Sequence, residues 1–81
     1  MERAEALDTI RSVAAEVLGI DAAGIEESSR FREDLEADSL HLVELVMGLE
    51  DHFGIEVPED DLEGVDTIGR AVDLVLARLG G

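Results

Sequence analysis

The hydroxyl of Ser39 is the side-chain group in this sequence whose position most suggests chemistry. It follows Asp38 and precedes Leu40 at the predicted start of an amphipathic helix. A serine hydroxyl is a weak nucleophile unless an adjacent base activates it. His41 is only two positions away and would point elsewhere on a helix, and there is no Gly-x-Ser-x-Gly turn. The sequence therefore argues against a serine hydrolase and predicts that Ser39 is an attachment point, at which another enzyme supplies the chemistry.

An acidic cation-binding module is an alternative of another class. Asp34, Glu36 and Asp38 alternate as they would at the start of an EF-hand calcium loop. The sixth loop position, however, is Ser39 instead of glycine, and the twelfth is Leu45 instead of a bidentate glutamate. We therefore assign no metal site and expect only weak, nonspecific divalent binding. An acidic helical interaction module stays open beside the attachment hypothesis.

The charge of the chain is strongly negative. Its 81 residues carry 21 Asp or Glu against six arginines, which gives a formal net charge of −15. Such a field repels nucleic acid and anionic membranes and attracts basic protein surfaces. Because 46% of the residues are hydrophobic, we expect an ordered single domain over residues 1–81 rather than a disordered chain.

The sequence also carries expectations about the setting of the protein. It contains no cysteine, and it starts without the basic region and apolar run of a signal peptide. No apolar stretch approaches the roughly 20 residues that a membrane span needs. The absence of cysteine leaves the redox compartment open, whereas the other two features predict a cytoplasmic protein that does not insert into membranes. We also expect a monomer.

The first half of the chain reads as a helix followed by a long loop. Apolar residues at helical spacing predict a helix over residues 3–18, with Gly19 as its stop. Residues 20–37 read as an ordered loop. The side chains expected to hold that loop on the core are its isolated apolar residues, namely Ile20, Ile25, Phe31 and Leu35.

The second half begins with the helix that would present Ser39. Asp38 is expected to cap this helix, which runs to Phe53 before Gly54. Residues 59–63 predict a short helix, and Asp66 or Thr67 caps a last one. The predicted fold class is all-α: a small antiparallel helix bundle of three main helices plus one short helix, with a long first loop.

Two segments of the sequence closely resemble the acyl carrier proteins. They are FREDLEADSL at residues 31–40 and VELVMGLEDHFGIEVP at residues 43–58. The resemblance extends over nearly the whole chain, including the turn at residues 66–69. Asp-Ser-Leu alone would be a weak signal, but its setting, the chain length and the charge make the likeness specific.

The resemblance implies a covalent cofactor on Ser39. A phosphopantetheinyl transferase would use the serine hydroxyl to attack the pyrophosphate of coenzyme A, with Asp38 and Leu40 completing the attachment motif. The product would be a 4′-phosphopantetheine arm whose terminal thiol carries acyl chains as thioesters. The resemblance thus implies a carrier and not an enzyme, with no catalytic residue of its own.

The resemblance also implies two further sets of residues. Those expected to meet basic surfaces of acyl-processing enzymes, such as a ketosynthase and an acyltransferase, are Val43, Glu44, Met47, Glu50, Asp51 and Glu56. Those expected to line a pocket for the acyl chain between the helices are Leu35, Val46, Leu49, Val57, Val65 and Ala71.

Three positions depart from the family pattern. Glu36 stands where the family usually has glycine, so a left-handed backbone there would be strained. His41 replaces a common acid and Leu42 a common small polar residue. The pattern of Glu44, Met47 and Glu50 on the helix that begins at Ser39 favours type II fatty acid synthesis. The departures leave a polyketide or other specialised acyl pathway as the alternative. A carrier of amino-acyl groups ranks third, because the chain is so acidic.

Overall fold

The computed structural model describes residues 2–62 and 64–80. The main helices are α1 (Arg3–Leu18), α2 (Ser39–Phe53) and α3 (Ile68–Gly80), and short 3₁₀ helices lie at Ala22–Gly24 and Glu59–Leu62. The described residues contain no β-strand, and Arg30 and Thr67 form only an isolated antiparallel bridge. The predicted all-α class, with three main helices and a short one near residue 60, is confirmed. Glu63, the last residue of the predicted short helix, lies outside the described residues.

The helix ends follow from local chemistry. Gly19 and Gly54 adopt left-handed backbone angles, with φ of 69° and 65°. Each donates its backbone N–H back to its own helix, to the carbonyls of Ala15 and Glu50 respectively. Glycine reaches this conformation without the steric penalty of a Cβ, so both predicted stops are confirmed. At the start of α3 the Thr67 hydroxyl accepts the Arg70 N–H at 3.2 Å, which makes Thr67 and not Asp66 the residue that caps it.

The core is built mainly from α1, the first loop and α3. All the largest fully buried side chains belong to these three segments: Phe31, Ile10, Ile25, Ile68, Val72 and Val75. Helix α2 contributes Leu45 and Leu49, which are slightly less buried. Helix α1 packs against both other helices, whereas α2 and α3 contact each other more sparsely. Helix α2 therefore lies over a core that the other elements have largely completed.

The long first loop is ordered, as the sequence predicted, but only some of the predicted apolar residues hold it on the core. Ile25 and Phe31 are buried, and Leu35 packs against the core. Ile20 does not hold the loop, because it is 39% exposed. The first 3₁₀ helix was not anticipated as an element; the Asp21 carboxylate begins it by accepting the Ala23 N–H at 2.9 Å.

The loop joins α3 through a close backbone approach at Gly69. The Gly69 N–H donates to the Glu27 carbonyl at 2.8 Å. A Cβ added at Gly69 would lie 2.9 Å from Glu27 Cγ and 3.2 Å from the Glu27 carbonyl oxygen. The second contact is with backbone, which cannot rotate away. The junction therefore needs a residue without a side chain.

Replacing Gly69 by alanine should lower the free energy of unfolding by about 1–3 kcal/mol, the range for overpacking a close contact. Urea denaturation followed by circular dichroism measures this change. Gly24→Ala is the matched control, because no atom lies within 4 Å of a Cβ added there. Equal stability of the two variants would contradict the account of the junction.

Candidate functional site

Ser39 is the first residue of α2, and its side chain takes no part in capping that helix. The cap is Asp38, whose Oδ1 accepts the His41 N–H at 2.9 Å. His41 Nδ1 in turn accepts the Asp38 N–H at 3.4 Å, so the two residues form a reciprocal capping box. The predicted cap is confirmed. Because Asp38 satisfies the helix start, the exposed Ser39 hydroxyl is left available for other chemistry.

Electrostatics around the cap follow from these contacts. The hydrogen bond from the His41 N–H lowers the pKa of Asp38 below its ordinary value of 3.8. The imidazole of His41 is half-buried and engaged with Asp38. It is therefore occupied as a capping group, in a role that the sequence analysis did not anticipate.

One cation reaches the serine. Arg32 Nη2 donates to Ser39 Oγ at 3.5 Å, across the turn that precedes α2. The Ala37 N–H closes that turn by donating to the Phe31 carbonyl at 2.7 Å. Sequence reasoning missed Arg32, because its approach to Ser39 depends on how this turn folds back.

The turn contains a strained residue. Glu36 has φ of 54°, the left-handed conformation that the sequence analysis considered for this position. No other non-glycine residue among those described has a positive φ. An L-residue pays a steric penalty there that glycine avoids. The strain lies within three residues of Ser39, in the segment that sets the position of Arg32.

An apolar cavity of about 430 Å³ opens between α2, α3 and the segment that joins them. Ser39 and Arg32 are exposed and lie at its rim. Five of the six residues predicted for an acyl pocket line it: Val46, Leu49, Val57, Val65 and Ala71. Leu35 does not; it packs against the core instead.

Several cavity residues were not anticipated, notably Leu42, Leu62 and Leu74. Leu74 follows Ala71 at helical spacing, a signal from which it could have been found. Leu42 lies one turn after Ser39 and lines the cavity, so one of the departures from the family pattern falls at the cavity itself.

The outer face of α2 exposes an apolar stripe beside the serine. Leu40, Val43 and Met47 are 65%, 53% and 60% exposed and follow one another at helical spacing. Of the acids predicted for partner binding, Glu44, Asp51 and Glu56 are exposed. Glu50 is half-buried, and its Oε2 accepts the Val57 N–H at 3.0 Å. Glu50 therefore holds the segment that follows α2 in place.

The described residues hold neither a metal-binding cluster nor a membrane-spanning helix. Over residues 2–62 and 64–80, no group of three or more His, Asp or Glu side chains is arranged to hold a metal ion. In the same part of the chain, no helix has the length and apolar character required to cross a membrane.

Known proteins are similar to this chain in sequence and in fold. The family described as "Phosphopantetheine attachment site" matches residues 8–75. A protein from Rubrobacter xylanophilus named "Acyl carrier protein" is 47% identical over 76 residues, covering 94% of each chain. One of the same name from Saccharopolyspora erythraea is 49% identical over 76 residues, covering 94% of this chain and 80% of the relative.

A solved structure agrees. The acyl carrier protein from Enterococcus faecalis, studied for its high thermal stability, matches with a TM-score of 0.76 and 33% identity, covering 96% of this chain and 99% of that one. The chain therefore belongs to the acyl carrier protein family, whose cofactor is 4′-phosphopantetheine. The site fits this cofactor, since it offers an exposed serine hydroxyl that the fold does not use and an apolar cavity beside it.

Replacing Glu36 by glycine should raise the free energy of unfolding by about 0.5–1 kcal/mol. Relief of left-handed strain stabilises by about 1–2 kcal/mol, and the greater freedom of glycine in the unfolded chain offsets part of it. Glu36→Ala is the control, because it removes the same carboxylate but keeps the Cβ. Denaturant unfolding should give the glycine variant a higher free energy of unfolding than the alanine variant. The reverse order would show that the backbone at position 36 is not strained.

Asp38 should contribute to stability in a pH-dependent way. Because its folded pKa is lowered, the contribution is present above the ordinary value of 3.8 and is lost as pH falls through the lower folded pKa. Asp38→Asn keeps a capping oxygen but cannot titrate. The stability difference between wild type and this variant should therefore shrink on acidification.

Thermal melting at low protein concentration measures this stability difference. The pH is varied from neutral to pH 3, which is about a unit below the ordinary Asp pKa. Asp51→Asn, an exposed acid on the same helix, removes the same charge and serves as control. A wild-type advantage over Asp38→Asn that stayed constant throughout would contradict the assigned cap.

Proposed function

We propose that Ser39 is the residue that carries 4′-phosphopantetheine, and that the chain delivers acyl groups to the enzymes of type II fatty acid synthesis. The observation that carries the proposal is the exposed Ser39 hydroxyl, which lies outside the helix cap and at the rim of an apolar cavity. The bound cofactor supplies a terminal thiol that holds acyl groups as thioesters. On this proposal the chain is a carrier and not an enzyme.

The start of α2 suits a phosphate ester on Ser39. Backbone N–H groups in the first turn of a helix and the helix dipole favour a negative charge there. Asp38 opposes that charge, but its carboxylate is already engaged with the His41 N–H. The described surroundings of Ser39 offer no base aimed at its hydroxyl, so activation belongs to the transferase.

The cavity suits the acyl chain. Its volume of about 430 Å³ falls within the range of small-molecule pockets. Each methylene that leaves water there contributes about 0.8 kcal/mol, so a bound chain would also stabilise the fold. The residues proposed to surround it are those of the predicted set that line the cavity, with Leu42, Leu62 and Leu74 added.

The outer face of α2 suits transient partners. Its exposed apolar stripe supplies contact area, and Glu44, Asp51 and Glu56 supply attraction to basic enzyme surfaces such as those of the transferase, a ketosynthase or an acyltransferase. Such exposed charge pairs are weak and salt-sensitive, which allows release after each step. A single domain over residues 1–81, the monomeric state and the cytoplasmic location remain predictions.

A polyketide or other specialised pathway is the second candidate. Its support is that Leu42, one of the departures from the family pattern, lines the cavity, where it would change the space available to the cargo. The Glu44, Met47 and Glu50 pattern on α2 supports fatty acid synthesis instead. The rate at which a fatty acid ketosynthase uses the acylated protein, compared with the rate for a polyketide ketosynthase, separates the two candidates.

Mass spectrometry of the intact protein tests the attachment directly. After incubation with coenzyme A and a broad-specificity phosphopantetheinyl transferase, wild type should gain one phosphopantetheine mass and Ser39→Ala none. Ser12→Ala, which alters an exposed serine on α1, should behave as wild type. Ser39→Ala should keep the wild-type circular dichroism spectrum, since the Ser39 hydroxyl has no capping role. A mass gain in Ser39→Ala would place the attachment elsewhere.

A further inference from the structure

Arg32 differs from the other arginines of this chain. Among the described residues, it is the one arginine that forms no ion pair with a carboxylate, and it donates a hydrogen bond to the Ser39 hydroxyl at 3.5 Å. The other five arginines pair as follows: Arg3 with Glu27 and Asp73, Arg11 with Asp8, Arg30 with Glu33 and Asp34, Arg70 with Asp66, and Arg78 with Asp61.

That Arg32 has no carboxylate partner among the described residues is unexpected in so acidic a protein. With 21 acids against six arginines, a surface guanidinium has many possible partners. Arg32 is nevertheless held beside Ser39 by the tight turn in which the Ala37 N–H donates to the Phe31 carbonyl at 2.7 Å. Glu36, whose backbone is left-handed, lies within this turn. A strained segment thus keeps a cation next to the attachment serine.

We infer that Arg32 binds the phosphodiester formed on Ser39 and directs the attached arm toward the cavity. The inference rests on the proposed attachment at Ser39. A phosphate ester on Oγ places its non-bridging oxygens two covalent bonds beyond the atom that Arg32 already contacts. A guanidinium binds phosphate oxygens through its planar fork of N–H donors, with charge assistance.

The positions of Arg32 and Ser39 determine which way a bound phosphate would face. Arg32 and Ser39 lie on the same rim of the cavity, with Arg32 on the loop side and Ser39 on α2. A phosphate held between them faces the cavity and not the outer face of α2. Arg32 also offsets the repulsion that the nearby Asp38 and Glu36 carboxylates exert on the phosphate.

The contact is exposed, so its effect is modest and depends on salt. Exposed ion pairs shift equilibria only a few-fold. We expect Arg32→Gln to lower the ratio of restrained to free phosphate about threefold at low ionic strength. High salt should reduce the difference between wild type and variant, because screening weakens the contact in wild type.

Phosphorus-31 NMR of the holo-protein measures this restraint. A phosphate fixed on the protein gives a broad resonance, whereas a mobile one gives a narrow line. Wild type, Arg32→Gln, Arg32→Lys and Arg70→Gln would be compared after complete modification, which mass spectrometry verifies. Arg70→Gln removes the same charge from an exposed arginine that pairs with Asp66, so it controls for net charge.

We expect the phosphorus resonance to be narrower in Arg32→Gln than in wild type, of intermediate width in Arg32→Lys and of wild-type width in Arg70→Gln. The melting temperatures of all the apo-proteins should be unchanged. Equal line widths in fully modified wild type and Arg32→Gln would overturn the inference and leave the attachment intact. Modification of wild type but not of Arg32→Gln would assign Arg32 to transferase recognition and overturn it as well. No modification of wild type would overturn the attachment at Ser39 and the inference together.

Discussion

The cap that Asp38 places on α2 is the interaction on which the site depends. Its carboxylate accepts the His41 N–H at 2.9 Å, which satisfies the helix start one residue before the serine. If Ser39 were itself the cap, its oxygen would be turned back into the helix and engaged there. Moving the cap to the preceding acid starts the helix at the same place and leaves the hydroxyl exposed beside the cavity.

The unequal contribution of the three helices to the core explains where the cavity lies. Helix α1, the first loop and α3 supply the fully buried large side chains, so they form a core without much help from α2. Because α2 contacts α3 sparsely, apolar space remains between them. The same helix can therefore line an apolar cavity with one face and expose another, which carries Leu40, Val43 and Met47, while the core stays packed.

The segment before α2 contains a strained residue and also positions Arg32 beside Ser39. Glu36 adopts a left-handed conformation, and the turn around it brings Arg32 within 3.5 Å of Ser39 Oγ. Strained residues persist only where surrounding contacts compensate for them. Here the buried Phe31 on one side and the capping box on the other hold the turn. The geometry of the site is thus maintained by the core and by the helix cap together.

The sequence by itself determined the helices, their glycine stops, the Asp38 cap and the position of Ser39, because these features depend on residues that are neighbours along the chain. The resemblance of the sequence to the acyl carrier proteins also indicated most of the cavity lining. Only the tertiary structure decided that Leu35 packs outside the cavity, that Glu50 binds the Val57 N–H, and that Arg32 reaches Ser39. These contacts depend on how a turn folds back or how helices pack, which local sequence patterns do not encode.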